Sequence, residues 1–155
     1  MTPVKHVMTT DVISFQEDTP VEEIADALAE HHITGAPVVT PEGFVVGIVS
    51  ELDVFSRKGR TARDIMSPHV ISITEDTGID QAARLLAGER IRRLPVLREG
   101  RLVGLVSRSD VLEFFATRVW TCTTCGHGEH GLEQPDSCSA CSGTKFTLER
   151  AHPRH

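Results

Sequence analysis

Four cysteines near the end of the chain form two closely spaced pairs. They are Cys122-x-x-Cys125 and Cys138-x-x-Cys141, with twelve residues between the pairs. Each C-x-x-C turn directs two thiolates toward one point, so the two turns together can provide a tetrahedral set of sulfur ligands. Such a set suits Zn²⁺ or a single iron ion. The sequence therefore predicts a metal site, with zinc as the first expectation and iron as the alternative.

The segment around these cysteines, residues 119–150, contains few apolar side chains. A segment this short buries too little apolar surface to fold alone, so we expect the metal to hold it together. His127 and His130 lie between the two pairs. Because four thiolates already complete a tetrahedral set, we expect both histidines to be exposed loop residues rather than ligands.

The residues that flank the cysteines are similar to those of the rubredoxin-like domain of rubrerythrins and of zinc ribbons generally. These are an aromatic residue and a glycine around the first pair, and a proline and an aromatic residue around the second: Trp120, Gly126, Pro135 and Phe146. Those families have glycine directly after the fourth cysteine, whereas here Ser142 precedes Gly143. The resemblance implies a small metal-bound ribbon over residues 119–150, followed by a tail, 151–155.

A second candidate site is a Ser-x-x-Asp sequence that occurs twice, as Ser50 with Asp53 and as Ser107 with Asp110. Two interpretations are open. The pair can form a capping box, in which each side chain bonds to the backbone of the other at a helix start. Alternatively, the free N–H groups of the helix start and the serine hydroxyl can bind a phosphate, while the aspartate accepts hydrogen bonds from a vicinal diol.

The two Ser-x-x-Asp sequences belong to a tandem duplication over about residues 4–117. At an offset of 58 residues the triplets VIS and EDT recur, and Pro37 matches Pro95. One residue is then lost in a turn, and at an offset of 57 the stretch GIVSELD, from Gly47, matches GLVSRSD, from Gly104. The chain therefore contains two copies of one structural unit.

Each copy has the apolar pattern of a β-α-β-β-α unit. In the first copy DVISF, residues 11–15, predicts a strand. Thr19 as N-cap, Pro20 and Glu22 predict the start of a helix. Apolar runs on both sides of residues 41–43 predict a hairpin, and SELDVFSR predicts a second helix. One unit would bury little apolar surface, whereas two can share a core.

A tandem of such units, each with a Pro-Val strand and a closing Gly-x-Val-Ser-x-x-Asp, resembles the cystathionine β-synthase (CBS) domain family. The resemblance covers about three quarters of the chain. It implies an α+β fold in which two β-α-β-β-α repeats, residues 1–58 and 59–118, pair in one pseudo-twofold module. It also implies two clefts for adenosine-bearing ligands such as AMP, ADP, ATP or S-adenosylmethionine, and a homodimer formed through the CBS modules.

The resemblance implies a phosphate contact for each serine and a ribose contact for each aspartate: Ser50, Ser107, Asp53 and Asp110. Basic residues ahead of the second Pro-Val strand, Arg92 and Arg93, would also contact the ligand phosphates. The first copy has Thr34 and Gly35 at these positions, so we expect the two clefts to differ.

The resemblance also implies an apolar lining against the adenine, made of Ile13, Ile71, Ala36 and Leu94. From the residues alone, other interpretations remain open. These four side chains could be ordinary core residues, and the arginines could pair with the acidic first third of the chain.

The formal net charge of −6 is spread unevenly, since residues 1–58 carry −7, residues 59–118 carry +2 and residues 119–155 carry −1. A chain that binds nucleic acid is normally basic, so nucleic acid is not an expected partner. The first ten residues lack the apolar core of a secretory signal, and no apolar run is long enough to span a membrane. We therefore expect a cytoplasmic protein.

No stretch resembles a glycine-rich phosphate loop or a nucleophile elbow, so we expect no enzymatic activity. The leading hypothesis is a regulatory protein in which the CBS pair senses an adenine nucleotide. The metal ribbon would be its output element or a docking site for a protein partner. The alternatives are a redox or electron-transfer protein with iron at the cysteines, and a structural adaptor with empty clefts.

Overall fold

The first copy of the repeat folds as a helix, a hairpin and a short helix in the computed structural model, which describes residues 2–89 and 91–151. Its elements are α1 (Val21–Glu30), β1 (Gly35–Val39), β2 (Val45–Ser50) and α2 (Glu51–Ser56). The strands are antiparallel, and Gly43 has a positive φ of 96° in the turn between them, a conformation that glycine adopts at little cost. The predicted hairpin and the helix after it are confirmed.

The second copy contains all five predicted elements. They are β3 (Ile73–Thr74), α4 (Ile79–Gly88), β4 (Arg93–Arg98), β5 (Arg101–Ser107) and α5 (Arg108–Thr117). The three strands form one sheet in the order β3-β4-β5, with β3 parallel to β4. A parallel pair needs a crossover connection, which α4 provides. The β-α-β-β-α order is therefore confirmed in this copy.

The strand predicted at residues 11–15 of the first copy is wrong. The N–H of Val12 donates to the carbonyl of Thr10 at 3.0 Å, which turns the chain before it can extend along β1. Only at Phe15 does a parallel bridge to Val38 form. A single residue thus takes the place that β3 has in the second copy.

The predicted N-cap of α1 is also wrong, because Pro20 and not Thr19 precedes the helix. The hydroxyl of Thr19 accepts the N–H of Gln16 at 3.0 Å, and its carbonyl accepts the N–H of Ala62 at 2.9 Å. Thr19 is therefore held in the turn before the helix. One of its two partners, Ala62, is too far along the chain for a local sequence pattern to indicate.

A short helix that the sequence patterns did not indicate, α3 (Ala62–Ile65), follows the first copy. Thr61 and Asp64 form a capping box at its start. Backbone N–H groups of Arg60 and Thr61 donate to the Asp64 carboxylate and lower its pKa. The helix buries Ala62 and Ile65 fully.

One compact unit consists of residues 9–75 and 95–105. Its core contains apolar side chains from α1, the hairpin, α3 and the segment before α1: Phe15, Ile24, Leu28, Ala36, Val38, Val49, Ala62 and Ile65. Ile24 and Leu28 are four residues apart, so they lie on the same face of α1. The helix is amphipathic in the way that its sequence predicts.

A second compact unit contains the described residues 2–8, 76–89, 91–94 and 106–151. Here the N-terminal segment packs at the start of α4, where the N–H of Val4 donates to the carbonyl of Thr77 at 2.8 Å. Val4 is fully buried, and Lys5 lies 3.1 Å from Asp76. Within the described residues, no helix is both long enough and apolar enough to cross a membrane.

A small antiparallel sheet in the same unit carries Cys122 at the end of one strand, and the other three cysteines lie in the connections between its strands. Its strands are β6 (Arg118–Cys122), β7 (Gly128–Glu129) and β8 (Phe146–Arg150), in the order β7-β6-β8. We call it the cysteine-bearing sheet. β6 begins at the residue directly after α5, so no linker separates the sheet from the second copy. Of the predicted tail, only Ala151 falls within the described residues.

The close approach of β2 to residues 66–67 gives a test of the fold. A Cβ at Gly47 would lie 2.5 Å from Sδ of Met66 and 3.0 Å from the carbonyl oxygen of Ser67. The methionine can move, but the backbone of Ser67 is tied to Ile48 by hydrogen bonds of 2.8 and 3.0 Å. We expect Gly47→Ala to lower the free energy of unfolding by about 1–3 kcal/mol, measured by urea denaturation.

Gly88 in α4 is the matched control, because nothing lies within 4 Å of a Cβ placed there. Gly88→Ala should leave stability unchanged or raise it slightly, since alanine is the better helix former. Equal effects of the two substitutions would contradict the packing described for β2.

Candidate functional site

Ser50 and Asp53 form a capping box at the start of α2. The N–H and the hydroxyl of Ser50 donate to Oδ2 of Asp53 at 2.8 and 3.0 Å, and the N–H of Asp53 donates to Oγ of Ser50 at 3.3 Å. The other carboxylate oxygen, Oδ1, lies 3.2 Å from Nε of Arg57. Both oxygens of Asp53 therefore have partners within the first copy.

Ser107 and Asp110 form the same capping box at the start of α5, with the same three distances of 2.8, 3.0 and 3.3 Å. The residue that corresponds to Arg57 is Phe114, whose side chain is buried and carries no charge. Within the described residues, Oδ1 of Asp110 has no hydrogen-bond or ion-pair partner. The capping interpretation holds in both copies, but only the second copy leaves one aspartate oxygen available.

A cavity of about 520 Å³ adjoins α5. Its lining comes from the N-terminal segment, α5, the cysteine-bearing sheet and the residue after it: His6, Val7, Asp110, Glu113, Phe114, Thr117, Arg118, Arg150 and Ala151. This volume is in the range of small-molecule sites in proteins. Of the predicted nucleotide contacts of the second copy, Asp110 lines this cavity, whereas Ser107, Arg92 and Arg93 do not.

The other predicted nucleotide contacts have varied surroundings. Arg92 is exposed, and Arg93 is half-buried at the first position of β4. Ala36 and Leu94 are fully buried, and Ala36 belongs to the core described above. Ile13 packs against that core, whereas Ile71 is exposed. Ala36 therefore has the surroundings of a core residue, and an adenine contact by any of these four apolar residues stays a prediction.

The four cysteine sulfurs converge on one point. The sulfurs of Cys122 and Cys141 are 3.6 Å apart, as are those of Cys125 and Cys138, and all four lie within 4.8 Å of one another. A disulfide would need a distance of about 2.05 Å. Four sulfurs around a tetrahedral Zn²⁺ at about 2.3 Å would be about 3.8 Å apart. The spacing fits a metal ion far better than disulfides.

The ionisation of the thiols also fits a cation. Backbone N–H groups of Cys125 and Thr124 lower the pKa of the Cys122 thiol to about 6. At Cys141 the N–H of Gly143 favours the thiolate, but the neighbouring sulfurs of Cys125 and Cys122 outweigh it and raise the pKa to about 12. Four thiolates so close together repel one another, and a divalent cation would remove that repulsion.

Two other residues near the cysteines help to hold the four sulfurs in place, namely Gly143 and Trp120. The spacing of the cysteines alone does not predict either role. Gly143 packs so closely that a Cβ would lie 3.1 Å from the sulfur of Cys122 and 3.3 Å from that of Cys141. The buried Trp120 donates from Nε1 to the carbonyl of Gly131 at 3.1 Å, which holds the loop between the pairs.

The two histidines of the loop are exposed, as predicted. Nε2 of His127 lies 3.2 Å from Oγ of Ser139 and 3.4 Å from Oε1 of Glu129. Nδ1 of His130 lies 2.8 Å from the carbonyl oxygen of Phe115, and the two rings are 5.7 Å apart. Neither histidine is in the cluster of metal-ligand atoms, and His130 instead connects the loop to α5.

Further contacts join the cysteine-bearing segment to the second copy. Nη2 of Arg84 in α4 lies 3.1 Å from Asp80 and 3.3 Å from Glu133. The N–H of Ala151 donates to the carbonyl of Thr117 at 2.8 Å, at the end of α5. Sequence patterns could not identify these contacts, because their partners are far apart along the chain.

Comparison with known proteins identifies the repeated unit. Residues 4–59 and 62–117 each match the CBS domain. The CBS domain-containing protein YhcV of Bacillus subtilis is 30% identical over 118 residues, which are 72% of this chain and 84% of that protein. Among the first curated relatives, the matched region spans only 22% to 43% of the relative's length, and inosine-5'-monophosphate dehydrogenases are at the lower figure.

Two solved structures of CBS pairs are also similar. CBSX2 of Arabidopsis thaliana in complex with AMP has a TM-score of 0.70 and 28% identity, covering 73% of this chain and 95% of that one. The CBS domain pair of protein MJ0100, in complex with 5'-methylthioadenosine and S-adenosyl-L-methionine, has a TM-score of 0.69 and 28% identity, covering 74% and 96%. The chain belongs to the CBS domain family and contains a tandem pair of these domains.

Proposed function

We propose that this chain is a regulatory protein whose second CBS copy binds an adenosine-bearing ligand, while its four cysteines hold a structural zinc ion. The similar CBSX2 and MJ0100 structures contain AMP and S-adenosyl-L-methionine respectively, which supports this class of ligand. The observation that carries the proposal is the available Oδ1 of Asp110 beside a cavity of suitable size.

We expect the cleft of the second copy to be the preferred site, because its aspartate can cap α5 and bind a ribose at the same time. Oδ2 of Asp110 holds the start of α5, while Oδ1 accepts hydroxyls of a ribose. In the first copy a ribose would have to displace Arg57 from Asp53. Ser107, Arg92 and Arg93 remain phosphate contacts predicted from the sequence alone, because none of them lines this cavity. The corresponding cleft of the first copy, with Ser50, is expected to bind more weakly.

The metal ion would be structural. With four cysteine ligands a Zn²⁺ ion has no open position for a substrate, and such sites stabilise small segments outright. The resulting ribbon, over residues 119–150, is proposed as the output or docking element of the sensor. Iron is the alternative ion, because the same four sulfurs suit it, and the chain would then carry electrons. A thiolate site of either kind suits the reducing cytoplasm.

A homodimer through the CBS modules is part of the proposal. Two side chains at equivalent positions of the copies are conspicuously exposed, namely Phe55 of α2 at 77% and Leu112 of α5 at 67%. Leu52 of α2 is exposed as well. Large apolar side chains on helix faces favour association with a second copy.

The difference between the carboxylates of Asp53 and Asp110 can be tested by measuring AMP binding. We expect Asp110→Asn to weaken AMP binding about tenfold or more by isothermal titration calorimetry, because one charged acceptor is lost. Asparagine keeps an oxygen for the cap, so α5 should remain folded.

Asp53→Asn is the matched control, since it changes the same cap in the other copy. It should alter AMP affinity by less than about threefold, because Arg57 already engages Asp53. A larger effect at Asp53 than at Asp110 would reverse the assignment of the cleft. Failure of AMP, ADP, ATP and S-adenosylmethionine to bind the unaltered protein would refute nucleotide sensing and favour an adaptor.

The metal site can be tested through the single tryptophan of the chain. Trp120 is buried in β6, two residues before Cys122. Removal of zinc by a chelator should unfold the sheet and shift the emission of Trp120 to longer wavelength, and re-addition of zinc should reverse the shift. Cys138→Ser should show the shifted emission from the start.

His127→Ala is the control for this experiment, because His127 lies beside the site without being in the ligand cluster. It should retain about one zinc ion per chain by elemental analysis. A coloured protein that contains iron would instead support the redox alternative, and a protein that neither binds metal nor responds to the chelator would refute the site.

A further inference from the structure

Two arginines that no predicted site includes face each other across the cysteine-bearing sheet. Arg118 of β6 and Arg150 of β8 are direct cross-strand partners in the antiparallel register. Like charges placed directly opposite each other destabilise a sheet. Within the described residues, neither guanidinium has an ion-pair or hydrogen-bond partner that would offset this repulsion. The pair is therefore expected to destabilise the sheet, and no contact among the described residues compensates for this.

Both arginines line the cavity that adjoins α5. Arg118 is half-buried and Arg150 is exposed, so the pair extends from the cavity wall toward the solvent. The N–H of Ala151 donates to the carbonyl of Thr117, which joins the end of β8 to the end of α5 in the lining of this cavity. Two arginines at opposite positions of neighbouring strands, both lining one cavity, are suited to a phosphate group, which each can bind through two N–H donors.

The remaining polar groups of the cavity restrict what else the ligand contains. Asp110 and Glu113 supply two carboxylates, so an inorganic anion alone would meet repulsion as well as attraction. A ligand with hydroxyl donors and a phosphate satisfies both kinds of group. A nucleoside monophosphate has that combination, with the ribose hydroxyls placed at Oδ1 of Asp110. Val7 and Phe114 add an apolar wall to the same cavity.

We propose that Arg118 and Arg150 bind the phosphate of a nucleoside monophosphate whose ribose is held by Asp110. This inference rests on the proposed nucleotide-binding function of the second copy and extends its site into the cysteine-bearing sheet. β6 carries Arg118 at one end and the metal ligand Cys122 at the other. A metal at the cysteines that orders this strand would therefore also order a phosphate contact, which would couple metal binding to nucleotide binding.

The test compares AMP with adenosine in calorimetry on the zinc-loaded full chain. Arg118→Gln and Arg150→Gln should each weaken AMP binding about tenfold or more, because each removes a charge-assisted contact to phosphate. Adenosine lacks the phosphate, so both variants should bind it within about twofold of the unaltered protein. Without ligand, neither variant should unfold at a lower temperature than the unaltered protein, because the substitution relieves the repulsion between the arginines.

Lys145→Gln is the matched control, since it removes one positive charge from the same segment without altering the cavity lining. It should leave AMP affinity within about twofold. If the unaltered protein binds AMP but both arginine variants bind it equally well, the inference is overturned while the proposed function stands. If the variants lose AMP and adenosine alike, the arginines act on the fold and the inference also fails. If the unaltered protein binds no nucleotide, both proposals fall.

Discussion

The carboxylate of Asp110 has two oxygens, and the fold uses one of them. Oδ2 accepts the N–H and the hydroxyl of Ser107, and this cap fixes the point at which β5 ends and α5 begins. Most of the lining of the adjoining cavity follows from that point, because α5 forms one wall and its last residue leads directly into the cysteine-bearing sheet. Capping and ligand binding are therefore compatible roles for one side chain, since they use different oxygens.

The duplicated unit contains two such caps. A different residue one helical turn after each aspartate gives the two carboxylates different partners. Arg57 engages the second oxygen of Asp53 at 3.2 Å, whereas Phe114 occupies the corresponding position of the second copy and is buried. The second copy is also the one that continues into the cysteine-bearing sheet. The uneven charge of the sequence follows the same division, with an acidic first copy and a slightly basic second copy. We therefore expect the ligand to bind at the second copy rather than the first.

The sequence allowed the duplication, both hairpins and the cysteine cluster to be predicted, because each depends on residues close together or at a fixed repeat. It offered the two Ser-x-x-Asp caps as one of two open interpretations. It did not indicate that the stretch ending at Phe15 would form one bridge instead of a strand, or that Thr19 would be held by Ala62. These outcomes depend on contacts between distant segments, which override local propensity. The cross-strand meeting of Arg118 and Arg150 depends on the register of a sheet whose strands are more than twenty residues apart.

A metal held by the four cysteines would influence the proposed nucleotide site through the cysteine-bearing sheet, without contact between metal and ligand. If zinc orders the strands that carry Arg118 and Arg150, then nucleotide must in turn strengthen zinc binding by the same factor. Such reciprocity would let a chain of this size respond to both a metabolite and the availability of a metal. The coupling can be no larger than the difference in nucleotide affinity between the metal-bound and metal-free forms.

A crystal structure of the zinc-loaded protein with AMP would show directly which oxygen of Asp110 meets the ligand. We expect nucleotide in the second copy, with ribose hydroxyls hydrogen-bonded to Oδ1 of Asp110 while Oδ2 still caps α5, and with the phosphate between Arg118 and Arg150. Nucleotide bound only at Ser50 and Asp53, with Arg57 displaced and the cavity beside α5 empty, would contradict this expectation.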